Sequence, residues 1–352
     1  ERAPGGTPGA NTRGEGSDTQ KREEAGVMFG SGERKVFEGR HCLVTGGSSG
    51  IGLATAKHLL SLGAKVTILA RNQAKLDKAT EELRAGCGDA EGAPRVQGLS
   101  ADVTRFEAVE GAVKAACEAE GMGDVSVLVC SAGDAECMTF EDTPLDQFEK
   151  LMRVNYLGTV NCVRAALPYL KEEAKRREQA KKRTGGSCYA NIVLVSSQAG
   201  QVGLYGYTAY SPPKFALTGF AQALRMEVKD IHKVAVSVCY PPDTDTPQLQ
   251  HENETKPAIT KALVGTTVPF TPESVAACIV RGMRRERFTV AVGFDGWALA
   301  TATAGFSPPS SVAAFLTEVI LMGIMRIVVM AYLVIYYTTV RSMSKKMSKK
   351  ND

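Results

Sequence analysis

Histidine is scarce in this chain: four in 352 residues, none at ligand spacing from another histidine or a cysteine, which argues against a metal site. The nine cysteines (42, 87, 117, 130, 137, 162, 188, 239 and 278) form no C-x-x-C pair, and several fall in short apolar runs. That pattern suits small buried thiols in a reduced, cytosol-facing body rather than a disulfide scaffold. Charge of one sign is nearly absent in excess: the net is +4, and no Lys/Arg patch interleaves with aromatics, so nucleic acid is not an expected partner. Nothing in residues 1–35 resembles a signal peptide, and the first residue is Glu1, which leaves room for residues ahead of it. Those residues hold almost no apolar side chains and read as a disordered segment. No internal repeat is visible.

With 44% hydrophobic content, the remainder can bury one large core plus an appendage. His41–Gly52 reads HCLVTGGSSGIG, an apolar run, a glycine-rich turn, and then a helical stretch from Leu53 to Leu60. Gly46, Gly50 and Gly52 let backbone approach a pyrophosphate, and a helix N-terminus offers it free N–H groups and positive dipole. The spacing is G-x-x-x-G-x-G, distinct from the usual G-x-G-x-x-G. A second strand follows at Lys65–Ala70, a helix over 72–84, and further strands at Val96–Leu99, Val125–Cys130, Ile192–Val195, Val234–Val238 and Phe288–Val292. Strands alternating with helical stretches predict an α/β fold with a doubly wound parallel sheet.

Downstream, Val195–Phe215 (VSSQAGQVGLYGYTAYSPPKF) sets Ser196-Ser197 some thirteen residues before Tyr210, with Lys214 four residues after it. A phenol and an ammonium at i and i+4 share one helix face, and a neighbouring ammonium lowers a phenol's pKa. Such a pair, with a serine hydroxyl beside it, suits proton transfer to a carbonyl oxygen; the bland alternative is a packed Tyr and a solvated Lys. Tyr-x-x-x-Lys alone is common by chance, and the glycine loop upstream is what gives it weight.

Together these motifs resemble the short-chain dehydrogenase/reductase family, over about residues 38–295, which implies a seven-stranded Rossmann-type sheet. By that resemblance Tyr210 is the general acid, Lys214 lowers its pKa and binds the nicotinamide ribose, and Ser197 orients the carbonyl. Ser196 stays a second candidate, although family spacing favours Ser197. Asn155, in LMRVNYLGTV, matches the fourth catalytic residue and would hold a water linking Lys214 to solvent. The dinucleotide would lie on Gly46, Ser48, Ser49, Gly50, Ile51 and Gly52, with Asp102 at the adenine and Thr244 and Thr246 at the carboxamide. The second strand ends in Ala70-Arg71-Asn72 with Lys75 a turn later and no carboxylate, which favours NADPH over NADH. Two departures stand out. Cys130 replaces an asparagine that ties the central strands, and Pro212-Pro213 fall between Tyr210 and Lys214, so the helix should begin close to Tyr210.

The run Tyr240–Pro247 (YPPDTDTP), followed by His251–Pro257 (HENETKP), resembles the 3-ketodihydrosphingosine reductases within that family. The resemblance implies reduction of a long-chain sphingoid ketone with NADPH in sphingolipid biosynthesis. Another lipophilic carbonyl, such as a steroid or retinoid, and a catalytically retired nucleotide-binding protein are the alternatives. Asp243 and Asp245 are either turn-formers or, for one of them, a partner for the substrate's ammonium.

One long apolar run exists: Val319–Tyr337 has nineteen residues and a single charge, Arg326, enough to span a hydrocarbon core. The alternative is a C-terminal element packed on the body. The chain ends in Lys349-Lys350-Asn351-Asp352, which resembles a dilysine retrieval signal of endoplasmic-reticulum membrane proteins. With body and tail both in the cytosol, an even number of crossings is required. The expectation is a hairpin or re-entrant pair (roughly 297–316 and 319–337) or an interfacial helix. The implied arrangement is a disordered segment at 1–35, a reductase domain at 36–295, a membrane-associated segment at 296–340 and a basic cytosolic tail at 341–352. Lys171–Arg183, with seven basic residues in thirteen, reads as a solvated helical extension. The resemblance also implies a homo-oligomer through the Asn155 and Tyr210 helices.

Overall fold

The computed structural model describes residues 36–86, 96–184, 189–265 and 268–351. Expectations for residues 1–35, Cys87, Cys188 and Asp352 fall outside these, as do the side chains of 181–184 and 348–351.

Seven parallel strands form one sheet in the order β3-β2-β1-β4-β5-β6-β7. They are β1 (His41–Thr45), β2 (Lys65–Ala70), β3 (Val96–Ser100), β4 (Val125–Cys130), β5 (Ala190–Val195), β6 (Val234–Tyr240) and β7 (Thr289–Ala291). β1, β4, β5 and β6 are buried throughout, which is why they read as continuous apolar runs instead of alternating ones.

Helices cover both faces. On one lie α1 (Gly50–Ser61), α2 (Gln73–Ala85) and, from later in the chain, α9 (Pro272–Arg284). Their Leu59, Leu76, Leu83 and Ile279 pack with Val44, Ile68 and Val129 of the strands. The other face carries α3 (Phe106–Glu118), α5 (Gly158–Thr184) and α6 (Ser211–His232). There Val113, Leu170 and Leu217 meet Leu43, Leu128 and Leu194. A short α4 (Leu145–Leu151) runs into α5 through a π-helical turn, Met152–Leu157. The basic Lys171–Arg183 stretch forms the outer turns of α5, where Arg176 pairs with Asp124.

Past β6 come α7 (Pro247–Thr255) and α8 (Ala258–Val264), and past β7 come α10 (Gly293–Ala302) and α11 (Val312–Asn351). Of the expected hairpin, re-entrant pair or interfacial helix, the first two lack their first apolar helix: among the described residues a single 40-residue helix follows α10. α10 packs on β7, and Pro308-Pro309 separates it from α11, so residues 297–316 never become one apolar rod. α11 is the one described helix long and apolar enough to cross a membrane.

β1 has β2 on one side and β4 on the other, so the chain reverses direction of winding at this point. Such a switch point opens a crevice beyond the carboxyl ends of the strands, and the site is there.

Candidate active site

The crevice is a cavity of about 710 Å³ whose floor is the glycine loop and whose far wall carries Tyr210 and Lys214. Gly46 has φ +68°, and a Cβ on it would stand 2.8 Å from the backbone of Ala132. A Cβ on Gly52 would meet the Gly46 carbonyl oxygen at 2.4 Å. The two glycines therefore let α1 and the β4 loop close on β1, with Gly52 beneath the loop rather than in the cavity wall. Ser49 caps α1 without a side-chain bond to its first N–H groups. Those donors, with Ser48, Gly50 and Ile51 beside them, form a cradle for an anionic group.

Arg71 and Lys75 line the cavity where β2 ends, and Asp102 lines it where β3 ends. Asp102 accepts bonds of 2.9 Å from both the backbone N–H and the hydroxyl of Thr104, which fixes its carboxylate. Thr244 and Thr246 stand across from the glycine loop, and Thr246 caps α7 through Leu249 N–H at 3.2 Å.

Tyr210 is the residue immediately before α6, so Pro212 and Pro213 occupy the first turn, where a missing N–H costs nothing. The doubled proline is thus accommodated without distortion. Lys214 is buried, its Nζ bonded to the Val195 carbonyl at 3.2 Å and 5.5 Å from the centroid of the Tyr210 ring. Burial drives both groups toward neutrality: the Lys214 pKa falls to about 8, and the Tyr210 phenol rises above its ordinary value. The expected lowering of the Tyr210 pKa is outweighed by burial first, then by Glu252, although Ser197 works the other way.

The two serines separate cleanly. Ser197 lines the cavity with Tyr210 and favours ionisation of its phenol. Ser196 is buried behind it, its hydroxyl donating to the Lys214 carbonyl at 2.9 Å, a bond that ties the end of β5 to α6. Asn155 is buried in the π-helical turn, a feature common at functional sites. Its amide clamps the Asp134 backbone, donating to the carbonyl at 2.9 Å and accepting from the N–H at 3.1 Å. A Cβ on Gly133 would lie 2.8 Å from Asn155 Oδ1 and 3.5 Å from Lys214 Nζ, so the three meet behind the cavity. Cys130 is a free thiol in the core, in the same apolar cluster as Cys162 of α5, and takes no part in the cavity.

A second charged group was not anticipated. Glu252 on α7 is buried, accepts a 2.6 Å bond from the Tyr207 hydroxyl and pairs with Lys256 at 3.0 Å. Asp243 reaches the same Lys256 at 3.8 Å. Asp243 and Glu252 line the cavity with Tyr210, and both disfavour ionisation of its phenol. Asp245 does not line it. Glu252 and Lys256 stand at i and i+4 within HENETKP, the signal by which sequence could have found them.

The sequence profile described as short chain dehydrogenase matches residues 40–257. The chain belongs to that family. It is 40% identical over 87% of its length to a 3-dehydrosphinganine reductase of Danio rerio, of which 86% is covered. A 3-ketodihydrosphingosine reductase of Bos taurus is 41% identical, with 87% of each chain covered. Among solved structures, a 3-ketoacyl-(acyl-carrier-protein) reductase from Brucella melitensis complexed with NADH superposes with a TM-score of 0.58. That match is 23% identical and covers 70% of this chain and 91% of the other. Actinorhodin polyketide ketoreductase with NADPH gives 0.58 at 24% identity, covering 70% and 90%. Both show the fold. The chain is a short-chain oxidoreductase, and its cofactor is a nicotinamide dinucleotide, for which the glycine cradle is shaped.

Proposed function

We propose that this chain reduces 3-ketodihydrosphingosine to dihydrosphingosine with NADPH, in sphingolipid biosynthesis at the endoplasmic-reticulum membrane, with residues 36–295 as the catalytic domain in the cytosol. The observation that carries the reading is the Ser197–Tyr210–Lys214 group, with Tyr210 and Lys214 buried, in one cavity with Asp243 and Glu252, both paired by Lys256. Arg71 and Lys75, without a carboxylate at the end of β2, support a 2′-phosphate and hence NADPH.

The bound nicotinamide supplies the hydride that the ketone carbon takes up. Tyr210 gives its proton to the carbonyl oxygen, and burial keeps the phenol protonated and ready to do so. Ser197 orients that oxygen and shares the developing charge. Lys214, beneath the ring, offsets the negative charge left on Tyr210. Asn155 holds the Asp134 loop against Lys214 and keeps that ammonium in place.

The substrate's amino group lies on the carbon next to its ketone, so a counter-charge near Tyr210 selects for it. Asp243, Glu252 and Lys256 together carry one net negative charge. Glu252 is engaged by Tyr207 and Lys256, whereas Asp243 is the more loosely paired carboxylate at the cavity wall. Asp243 receives the ammonium. A steroid or retinoid carbonyl offers no such cation.

The test is cofactor oxidation by the detergent-solubilised full chain with 3-ketodihydrosphingosine, run beside NADH and a steroid ketone. Turnover confined to the sphingoid ketone and NADPH is expected; equal rates with the steroid would overturn the substrate, and equal rates with NADH the cofactor.

A further inference from the structure

The cavity is not closed by the reductase body alone. Tyr332, Ile335 and Tyr336 of α11 belong to its wall, beyond Leu263 and Val264 of α8. The same helix meets the body again near its start. Ala314 and Glu318 share a second cavity with Trp297 of α10, and Thr303 and Ser307 just upstream bond to Gln201 and Gln222 at 3.1 and 3.3 Å. At about 1.5 Å per residue these two seats are on the order of 27 Å apart along the helix.

Between them the helix lies along the body. Ala314, Glu318, Leu321, Met325, Val329, Leu333 and Tyr336 are half-buried, a single stripe at spacings of three or four residues. On the opposite face, Ile320 is 70% exposed, Ile327 72% and Val334 58%. The sequence is apolar around the whole circumference from Val319 to Tyr337 apart from Arg326. A helix of that kind needs apolar surroundings on every side, and the protein supplies one. Phe294, Trp297 and Phe306, all exposed, extend the apolar surface beside its first turns.

A crossing helix cannot satisfy this geometry. Were Val319–Tyr337 upright in about 30 Å of hydrocarbon, Tyr332–Tyr336 and the charged cavity they border would sit inside it. A helix lying in the plane of one leaflet removes the conflict. Arg326 then stands about a quarter-turn from the stripe, at the level of the headgroups. Lys345 and Lys346, both exposed, lie beyond the apolar run, where anionic headgroups attract them.

We infer that α11 is an in-plane membrane helix that forms one wall of the substrate cavity, so that a long alkyl chain passes from the leaflet into the site between α8 and α11. The part concerning the alkyl chain rests on the lipid-ketone reading; the position of the helix does not. Spin labels on Ile320→Cys, Ile327→Cys and Val334→Cys, in the full chain bound to phosphatidylcholine–phosphatidylserine vesicles, measure depth against a label-treated unsubstituted chain. Three equal depths of about 5–10 Å below the headgroups are expected. Depths differing by about 20 Å from first to last, as an upright helix requires, would overturn the inference, as would labels in water. In the same chain, Tyr332→Ala with Ile335→Ala should raise KM several-fold for a long-chain ketone and leave a short-chain analogue unchanged. Equal effects on both would overturn the wall. The depth series needs no turnover, so it stands even if the substrate proves to be different.

Discussion

Lys214 has its ammonium inside the protein on one carbonyl, and that placement has a measurable price in stability. Its pKa is lowered from 10.5 to about 8 by burial, so between those values the unfolded chain holds a proton that the folded chain has released. Stability therefore rises with pH across that window, by about 3 kcal/mol in all. Lys214→Met removes the effect: its advantage in melting temperature over the unsubstituted chain should shrink as pH goes from about 8 to about 10, whereas an unchanging difference would contradict burial as the cause. Asp243 carries the other expectation at this scale. Asp243→Asn should raise KM for the amino ketone about tenfold, with kcat kept and little change for the analogue without the amino group. A uniform change in both ketones would remove Asp243 from ammonium recognition. Tyr210 and Lys214 were legible because a helix puts i and i+4 on one face. Ser196 and Ser197 were not separable, since β5 turns adjacent side chains to opposite faces and only the register says which faces Tyr210.

At the scale of elements, β1, the glycine loop and α1 act as one unit whose closeness depends on absent side chains. Gly52→Ala puts a methyl 2.4 Å from the Gly46 carbonyl oxygen and must push α1 off the strand. Dinucleotide affinity by titration calorimetry should fall at least tenfold, with a lower melting temperature; unchanged affinity would mean the loop does not cradle the cofactor. The glycine spacing announced this unit, and the apolar runs announced the strands, because a parallel sheet buried on both faces leaves no other pattern. α7 was harder. HENETKP shows no burial by itself, and only the approach of Tyr207 from the loop before α6 makes the Glu252–Lys256 pair interior. The sequence of α11 likewise declares apolarity but not direction, and a hairpin, a re-entrant pair and an interfacial helix all satisfy charge and parity. Its half-buried stripe comes from contacts with α8 and α10, nearly a hundred residues apart in places from the residues that complete the cavity.

Taken as a whole, the molecule places a nicotinamide dinucleotide crevice at one end of its sheet beside an apolar wall, and the proposed reaction joins a water-soluble cofactor to a lipid-like substrate there. The dinucleotide side opens at the ends of β1, β2 and β3, where Arg71 and Lys75 face water. The other side, where the proposed ketone enters, opens toward α8 and α11, where the wall is apolar. Tyr210 stands between them, which makes it the point at which the account is most exposed. The deciding measurement compares Tyr210→Phe with the unsubstituted chain, reading NADPH binding by fluorescence and turnover of 3-ketodihydrosphingosine in the same preparation. Loss of the phenol should cost about 10²–10⁴ in kcat while NADPH binding stays intact. A variant that binds NADPH and keeps full turnover would contradict Tyr210 as the proton donor and the mechanism built on it.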